Sequence, residues 1–575
     1  MSIEHVLRTG TRRGITVLCA GMLLPLLLTT AQAQTWSSTA TKALPLVNTT
    51  ALGPMDPNAA VHIVVALQLN NMSQLKTLIQ REATPGDPLY ETTLTPAQFT
   101  STYGPTPAQV QAVENYLTSQ GFQNLQVEDN NLFVSADATV QQAQTAFNTA
   151  LGQFVLNGKT VYANTLAAQV PVSLSGTVAA VLGLNNISAM ATVATTATTV
   201  TVGSGGTGSV SVSVNPPDVN NMVYGPSNFQ TAYDAGKTPT GSLTSIAIMA
   251  EGDLTGVVSD LRAFEKLYSL PQVPVTIVPT GIASTDTSGA DEWDLDSQSS
   301  TGIAGNVQHL YFYDASSLTD SDLAIAFNRF ATQNVARAAN ASFGECEVFP
   351  YLDGSMLADD EVFAEAAAQG QTVFSSTGDV GAACPVEGTN GVPDSGPIMV
   401  SYPASSPYVV AVGGTDLLTN SDYTWNNEIA WYSGGGGISQ FEYSMYWQSG
   451  IVPSNELGDR GLPDVAMCAD PDVCGANIVV GGSQEVVGGT SLSSPLSMGS
   501  WARIESAHKN KLGFAAPLFY AMAQGINTAA PALPSVIGFH DIILGNNAGY
   551  SATPGWDYTT GLGSFDISQV NTLIK

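Results

Sequence analysis

The sequence predicts an α/β protein in two bodies: a doubly wound domain with a mainly parallel sheet and helices on both faces, preceded by a smaller α+β unit. Three observations predict it. From residue 217 onward, apolar runs of strand length alternate with helical segments. Residues 34–191 carry two helix starts of one design, and between the two bodies lies a stretch of Thr, Ser and Gly with no charge until Asp218.

In the later body the runs are TSIAIMAEG, VPVTIVPTG, HLYFYDA, QTVFSSTGD, YVVAVGGT and ANIVVGG, with helices such as SDLAIAFNRFATQ and DDEVFAEAAAQ between them. Strands apolar throughout, rather than at alternate positions, fit a sheet covered on both faces. In such sheets chemistry gathers at the carboxyl ends of the strands.

In the smaller unit, LTPAQF and PTPAQVQAVENYLTSQGF each hold Thr-Pro-x-Gln. This is a helix start with Thr95 or Thr106 as N-cap, Pro at N1 and Gln closing a capping box. The second helix places Val110, Val113 and Leu117 on one face and stops at Gly121. NLFVSA reads as a short strand, Val140, Ala143, Phe147 and Leu151 mark another amphipathic helix, and His62, in the apolar strand AVHIVVALQL, is a structural histidine. The stretch TVATTATTVTVGSGGTGSVSVSVNPPDVN begins at Thr192. Residues 192–216 are assigned as a flexible connector open to proteolysis, although its β-branched parts also suit an extra edge strand.

Residues 1–33 have the layout of a cleavable secretory signal. Arg8, Arg12 and Arg13 precede an apolar run, and the small residues Ala31 and Ala33 follow it. The run is short for a membrane span, and no second long apolar stretch exists, so no stable membrane anchor is expected. Cys19 leaves with this segment. Cys346, Cys384, Cys468 and Cys474 remain, and of three possible connectivities the short Cys468 to Cys474 loop favours that pair together with Cys346–Cys384.

Composition narrows the setting. Hydrophobic residues make up 44% of the 575, but charged residues only 11%, against about 25% in ordinary soluble domains. Lys and Arg number 17 against 47 Asp and Glu, a formal charge of −30 that repels nucleic acid. In a medium where carboxylates with ordinary values of about 4 are protonated, so few bases also means little positive self-repulsion. The balance reads as tolerance of acid.

The stretch GGTSLSSP sets a serine, Ser491, after two glycines and at the start of a long apolar helix. There free N–H groups and the positive dipole end favour a developing oxyanion. A Ser/Thr helix cap fits the octapeptide equally well. Beyond the connector the chain has only His309, His508 and His540, none in glycine-rich surroundings, which disfavours a Ser-His-Asp triad. Carboxylates are better placed. GADEWDLDSQSS puts Glu292 and Asp296 four residues apart on one helix face, a spacing that costs helix stability and is otherwise met on solvated faces. Asp379, in VFSSTGDVGAAC, ends an apolar strand, where either a functional carboxyl or an ordinary turn Asp belongs.

With these motifs in hand the sequence resembles the sedolisin family, the serine-carboxyl peptidases. EWDLD, SFGECE, SSTGDVG, SYPASSPYVVAVGGT, RGLPDVAM, GGTSLSSP and FHDI…GWDYTTGLGSFD occur in order, and the segment around LTPAQFTSTYGPTPAQVQAVENYLTSQGF looks like an activation propeptide of the pro-kumamolisin type. The resemblance implies a subtilisin-like fold over residues 217–575 and a propeptide over 34–191. It implies Ser491 as nucleophile, Glu292 as base, Asp296 orienting it and Asp379 in the oxyanion hole. It also implies one structural Ca2+ held by the Asp541 and Asp557 carboxylates and the carbonyls of Ile542, Thr553 and Gly555, with Thr553 standing where the family usually has Gly. An ordinary Glu, near 4.3, stays partly ionised in acid where an imidazole cannot accept a proton. Asp379 must stay protonated to donate. The expected product is an acid-active endopeptidase zymogen whose partners are protein or peptide substrates and its own propeptide, acting as a monomer. The alternative from another class is an inactive peptide-binding or surface protein on the same scaffold.

Overall fold

Continuous apolar runs do build the central sheet. In spatial order it comprises Val275–Pro279, Val307–Ala315, Gly241–Glu251, Ala338–Ala341, Thr372–Ser376, Val409–Thr419 and Trp425–Ala430, with Val465–Cys468 also paired to Val409–Thr419. Every pairing is parallel except that of Trp425–Ala430. This computed structural model describes residues 34–46, 48–192, 194–196, 223–384, 396–453, 458–524 and 538–574. The expected signal, 1–33, and most of the expected connector lie outside the described residues.

Helices on both faces bury the sheet, and Ile246, Ile248, Leu310, Phe312, Phe374 and Val410 are wholly inaccessible. One sequence expectation is corrected. ANIVVGG does not join the central sheet; Gly475–Val480 forms an antiparallel hairpin with Ser483–Gly488, the strand that leads into Ser491. Its apolar side chains Ile478 and Val479 are buried in the same core, which is why the run looked like a sheet strand.

Two helices set the geometry of the site. Thr490–Ala507 is buried along nearly its whole length and packs on Ala290–Ala304, which is buried from Glu292 onward. Close approach is possible because Gly499 has no side chain: a Cβ there would stand 2.3 Å from the Ser300 carbonyl oxygen. Pro495 lacks an N–H, so the Ser491 carbonyl has no helical donor, and the Ser342 hydroxyl reaches it at 3.4 Å.

The smaller body is an antiparallel sheet ordered Gln123–Val127, Phe133–Thr139, Ala60–Leu67, Val178–Leu182, with three capped helices. The capping boxes at Thr95 and Thr106 form as expected, and Thr139 with Gln142 makes a third. That third helix ends at Ala146, because Leu151 already begins the strand Leu151–Leu156. His62 is half-exposed and paired with Asp137 at 2.8 Å rather than enclosed in the strand.

Trp36–Lys575 form one compact unit, and the small body sits on the helix Ser355–Ala368 of the large one. Glu361 accepts from the Leu69 N–H at 3.0 Å and Glu365 from Asn130 Nδ2 at 2.6 Å, while Arg329 pairs with Glu128 at 3.1 Å. Both disulfides expected from the sequence, Cys346–Cys384 and Cys468–Cys474, are present.

Burial pushes Glu361 and Glu365 each up to about 8 from an ordinary 4.5. A carboxyl raised on folding contributes fully below its unfolded value and loses that contribution as pH climbs to its folded value. The uncleaved chain is therefore expected to melt at a progressively lower temperature between about pH 4.5 and pH 8, read by calorimetry. A melting temperature that rises over this range would contradict the protonated interface.

Candidate active site

Ser491, Glu292, Asp296 and Asp379 meet at the carboxyl ends of the central strands. Ser491 is the second residue of its helix, so its N–H has no intrahelical acceptor. The helix begins at a sharp turn, where Gly489 takes φ of +102°, a conformation open to glycine. Gly489 N–H donates to the Ala469 carbonyl at 2.6 Å and fixes that turn.

Glu292 and Asp296 share one helix face, and neither has any exposure, unlike the solvated pair that the spacing alone allowed. The Ser491 hydroxyl stands close enough to the Glu292 carboxyl to lower it, although its Oγ is buried without a hydrogen bond of ordinary geometry. Asp296 Oδ1 accepts from Ser342 Oγ at 2.6 Å, and Asn340 supports it: Nδ2 donates to Ser342 Oγ at 2.9 Å, and Oδ1 accepts from Ser494 Oγ at 2.6 Å. Trp293 anchors the helix by donating to the Glu251 carbonyl at 2.9 Å and stands edge-on to Phe343.

Asp379 lies over the start of the Ser491 helix. Its Oδ1 accepts from both the N–H and the hydroxyl of Thr490 at 2.8 Å, and Gly378 N–H in turn donates to the Thr490 hydroxyl at 3.1 Å. The Cys346–Cys384 disulfide ties the loop after Asp379 to the strand Phe343–Cys346.

Burial sets the protonation. Lack of water, then the charge of Asp296, raises Glu292 well above 4.5, against the nearby Ser491 hydroxyl and the Ala194 N–H. Burial likewise raises Asp296, against Ser342 and Asn340. The ordinary acidity assumed for Glu292 from sequence therefore does not hold here: the pair retains a proton far above the usual carboxylate range. Asp379 is pushed up to about 7 by burial, against the Thr490 and Thr195 donors. It is neutral through the acid range.

None of the described histidines joins this group. His62 pairs with Asp137, His309 stacks on Tyr311, His508 meets the Asn571 carbonyl, and His540 stacks on Trp425. Sequence reasoning missed Ser342, Asn340 and Thr490. The edge strand that the sequence left open here does form: Ala191–Thr192 pairs antiparallel with Phe343–Gly344, and Thr195–Thr196 with Val487–Gly488. The start of the expected connector is thus strand laid across the site.

The five residues expected to hold calcium fall in one loop region. Gly555 N–H donates to Asp541 at 3.1 Å, Thr553 N–H to Asp557 Oδ2 at 2.9 Å, and Ile542 is buried beside Asp541. The Asp541 and Asp557 carboxyls are close enough to influence one another. Among the described residues no third Asp, Glu, His or Cys converges on them, so further donors would have to be backbone carbonyls.

A serine facing a buried carboxyl pair on a parallel α/β scaffold, with a neutral carboxyl above the same helix end, defines a peptidase of the serine-carboxyl type. The comparisons agree. Residues 48–187 match the pro-kumamolisin activation domain. Sedolisin of Pseudomonas sp. (strain 101) is 39% identical over 568 residues, covering 94% of this chain and 92% of its own. Xanthomonalisin of Xanthomonas sp. (strain T-22) is 37% identical, covering 92% of this chain and 67% of its own. The solved structure of Pseudomonas sedolisin (serine-carboxyl proteinase) complexed with two molecules of pseudo-iodotyrostatin superposes with a TM-score of 0.56 at 39% identity, over 61% of this chain and 97% of that one. The chain belongs to the sedolisin family.

Ser342→Ala removes the hydroxyl donor of Asp296. A hydrogen bond to a charged group contributes about 1.5–3 kcal/mol, so kcat/KM toward a peptide is expected to fall roughly 10- to 100-fold. The acid limb of the pH profile is expected to move upward, because Asp296 loses a donor that lowers it. Unchanged kinetics and an unmoved limb would show that Ser342 does not position the pair.

Proposed function

We propose that the chain is a secreted endopeptidase zymogen, active in acid, in which Ser491 is the nucleophile, Glu292 the general base and acid, Asp296 the group that orients and shares its proton, and Asp379 an oxyanion donor. The observation that carries this reading is the fully buried Glu292–Asp296 pair facing Ser491, with Asp379 held over the same helix terminus by Thr490.

The chemistry follows from where protons can rest. A buried pair of carboxyls holding one proton carries one negative charge, which leaves a Glu292 oxygen able to accept from Ser491 while Asp296 holds the proton. As Ser491 Oγ adds to a peptide carbonyl, the oxygen that becomes negative lies within the reach intended for the Ser491 N–H and a protonated Asp379. Glu292 then passes the proton to the leaving nitrogen, and a water repeats the cycle to release the acyl group. Asp379, raised to about 7, serves as a donor only below that pH.

Export is supported by the layout of residues 1–33 and by two disulfides, which persist in oxidising compartments. A calcium ion would be held by the hard oxygens of Asp541 and Asp557 with the carbonyls of Ile542, Thr553 and Gly555, supplying charge that relieves the repulsion of the two carboxylates. The donor types fit such an ion, and no catalytic step passes through it. Chelator is expected to lower the melting temperature of the processed enzyme; identical melting with and without chelator would remove the ion from the account.

The reading is tested by acidifying the purified chain and following peptide hydrolysis against pH. Activity is expected in acid and lost as pH rises through about 7, where Asp379 ionises. Ser491→Ala and Glu292→Gln are expected to abolish both hydrolysis and the shortening of the chain. A rate maximum above pH 7, or full activity in Glu292→Gln, would overturn the assignment.

A further inference from the structure

We propose that the cleft carries a remote acidic subsite, built by Glu345, Asp320 and Asp353, that selects substrates with a lysine or arginine about five residues to the acyl side of the cut bond. The inference rests on the peptidase reading given above and adds a specificity site to it.

A segment of the chain itself marks the course of an extended peptide through the cleft. Ala191 and Thr192 lie opposite Gly344 and Phe343, Ala189 lies opposite Thr319, and the Met190 N–H donates to the Leu318 carbonyl at 2.9 Å. Further on, Glu292 Oε2 accepts from the Ala194 N–H at 2.8 Å. Backbone pairing of this kind fixes register without regard to side chain, so a substrate on the same track sets its side chains where these stand. Ser188 is the first residue upstream of the paired stretch, and it is only 4% exposed because its side chain turns into the large body.

What it meets there is carboxyl. Ser188 Oγ lies 2.9 and 2.8 Å from the two oxygens of Glu345, on the strand Phe343–Cys346. Asn185 Nδ2 donates to Asp353 Oδ2 at 3.3 Å. Asp320, which opens the helix Asp320–Gln333, is 3% exposed, and neither of its oxygens has a hydrogen bond of ordinary geometry. It stands within reach of Glu345, Asp353 and Ser188, and burial followed by the charge of Glu345 raises it well above its ordinary 3.8. Burial, then Asp320, raises Asp353 likewise, and the fully buried Asp359 feels both.

These carboxyls select the occupant. The small body brings them only a hydroxyl and an amide, both short and uncharged. Among the described residues neither Asp320 nor Asp353 belongs to an ion pair. A lysine or arginine in the place of Ser188 supplies several N–H donors, a stem long enough to pass Glu345 toward Asp320, and the positive charge that favours ionised carboxyls. Among the described residues no three such groups are arranged to hold a metal ion, so a side chain of the substrate is the occupant that fits.

The test uses the full chain, activated in acid and assayed at about pH 5 on fluorescence-quenched peptides of one sequence, with a single lysine placed at successive positions on the acyl side and the cut bond read by mass spectrometry. Lysine about five residues upstream is expected to raise kcat/KM about tenfold over alanine, mainly through KM because the pocket lies away from the reacting atoms. Glutamate there is expected to be cut more slowly than alanine. In Glu345→Gln, and separately in Asp353→Asn, the ratio of lysine to alanine peptide is expected to fall to about twofold or less. Equal rates for the two peptides, an equal advantage for lysine at every upstream position, or a ratio that persists in both variants overturns the inference while leaving the peptidase reading standing. Absence of hydrolysis of every peptide overturns both.

Discussion

Two carboxyl groups one helical turn apart can both be buried without water only while at least one of them keeps a proton, and the arrangement around Ser491 depends on that constraint. Glu292 and Asp296 have no exposure at all. Their like charges cannot both be present at such cost, so the pair is a proton store whose content is set by burial and by the donors Ser342, Asn340 and Ser491. The surrounding backbone keeps these groups in register: Gly499 lets the two helices close, Pro495 leaves the Ser491 carbonyl to Ser342, and Gly489 turns the chain into the Ser491 helix.

The same physics runs through the rest of the molecule. A chain with 17 basic residues cannot neutralise 47 acidic ones by pairing, and many of its carboxyls are buried with hydroxyl, amide or N–H donors instead. The buried Arg460–Asp464 pair at 2.8 Å, inside RGLPDVAM, is an exception, and there Asp464 also accepts from the Ala411 N–H. Carboxyls held neutral cost little to bury in acid and much at neutrality, which makes composition, interface and catalytic site respond to pH in one direction.

Much of this was legible in the sequence where the signal is local. Thr95 and Thr106 announce their helices because a capping box is closed within four residues. Glu292, Asp296, Asp379 and Ser491 could be named because each sits in a compact motif, and the absence of a suitable histidine gave them meaning. What stayed hidden is what tertiary structure alone decides. Ser342 reaches Asp296 across 46 residues of chain, and no periodicity records that. Ala338–Ala341 is too short and too poor in large side chains to announce a central strand, while ANIVVGG is apolar enough to announce one and folds into a hairpin. The Ala- and Thr-rich stretch after Ala191 looks like connector by composition, yet its first residues gain pairing partners that only the assembled cleft supplies.

The central claim is that Glu292 and Asp296 hold one proton jointly over a wide pH range. The most direct measurement is infrared titration of the carboxylic acid band, with the two groups isolated by difference against Glu292→Gln and Asp296→Asn. The account predicts one protonated carboxyl assigned to the pair persisting well above the ordinary carboxylate range of about 4, and lost together with it when either partner is replaced. Two carboxyls that ionise independently near 4 would contradict it.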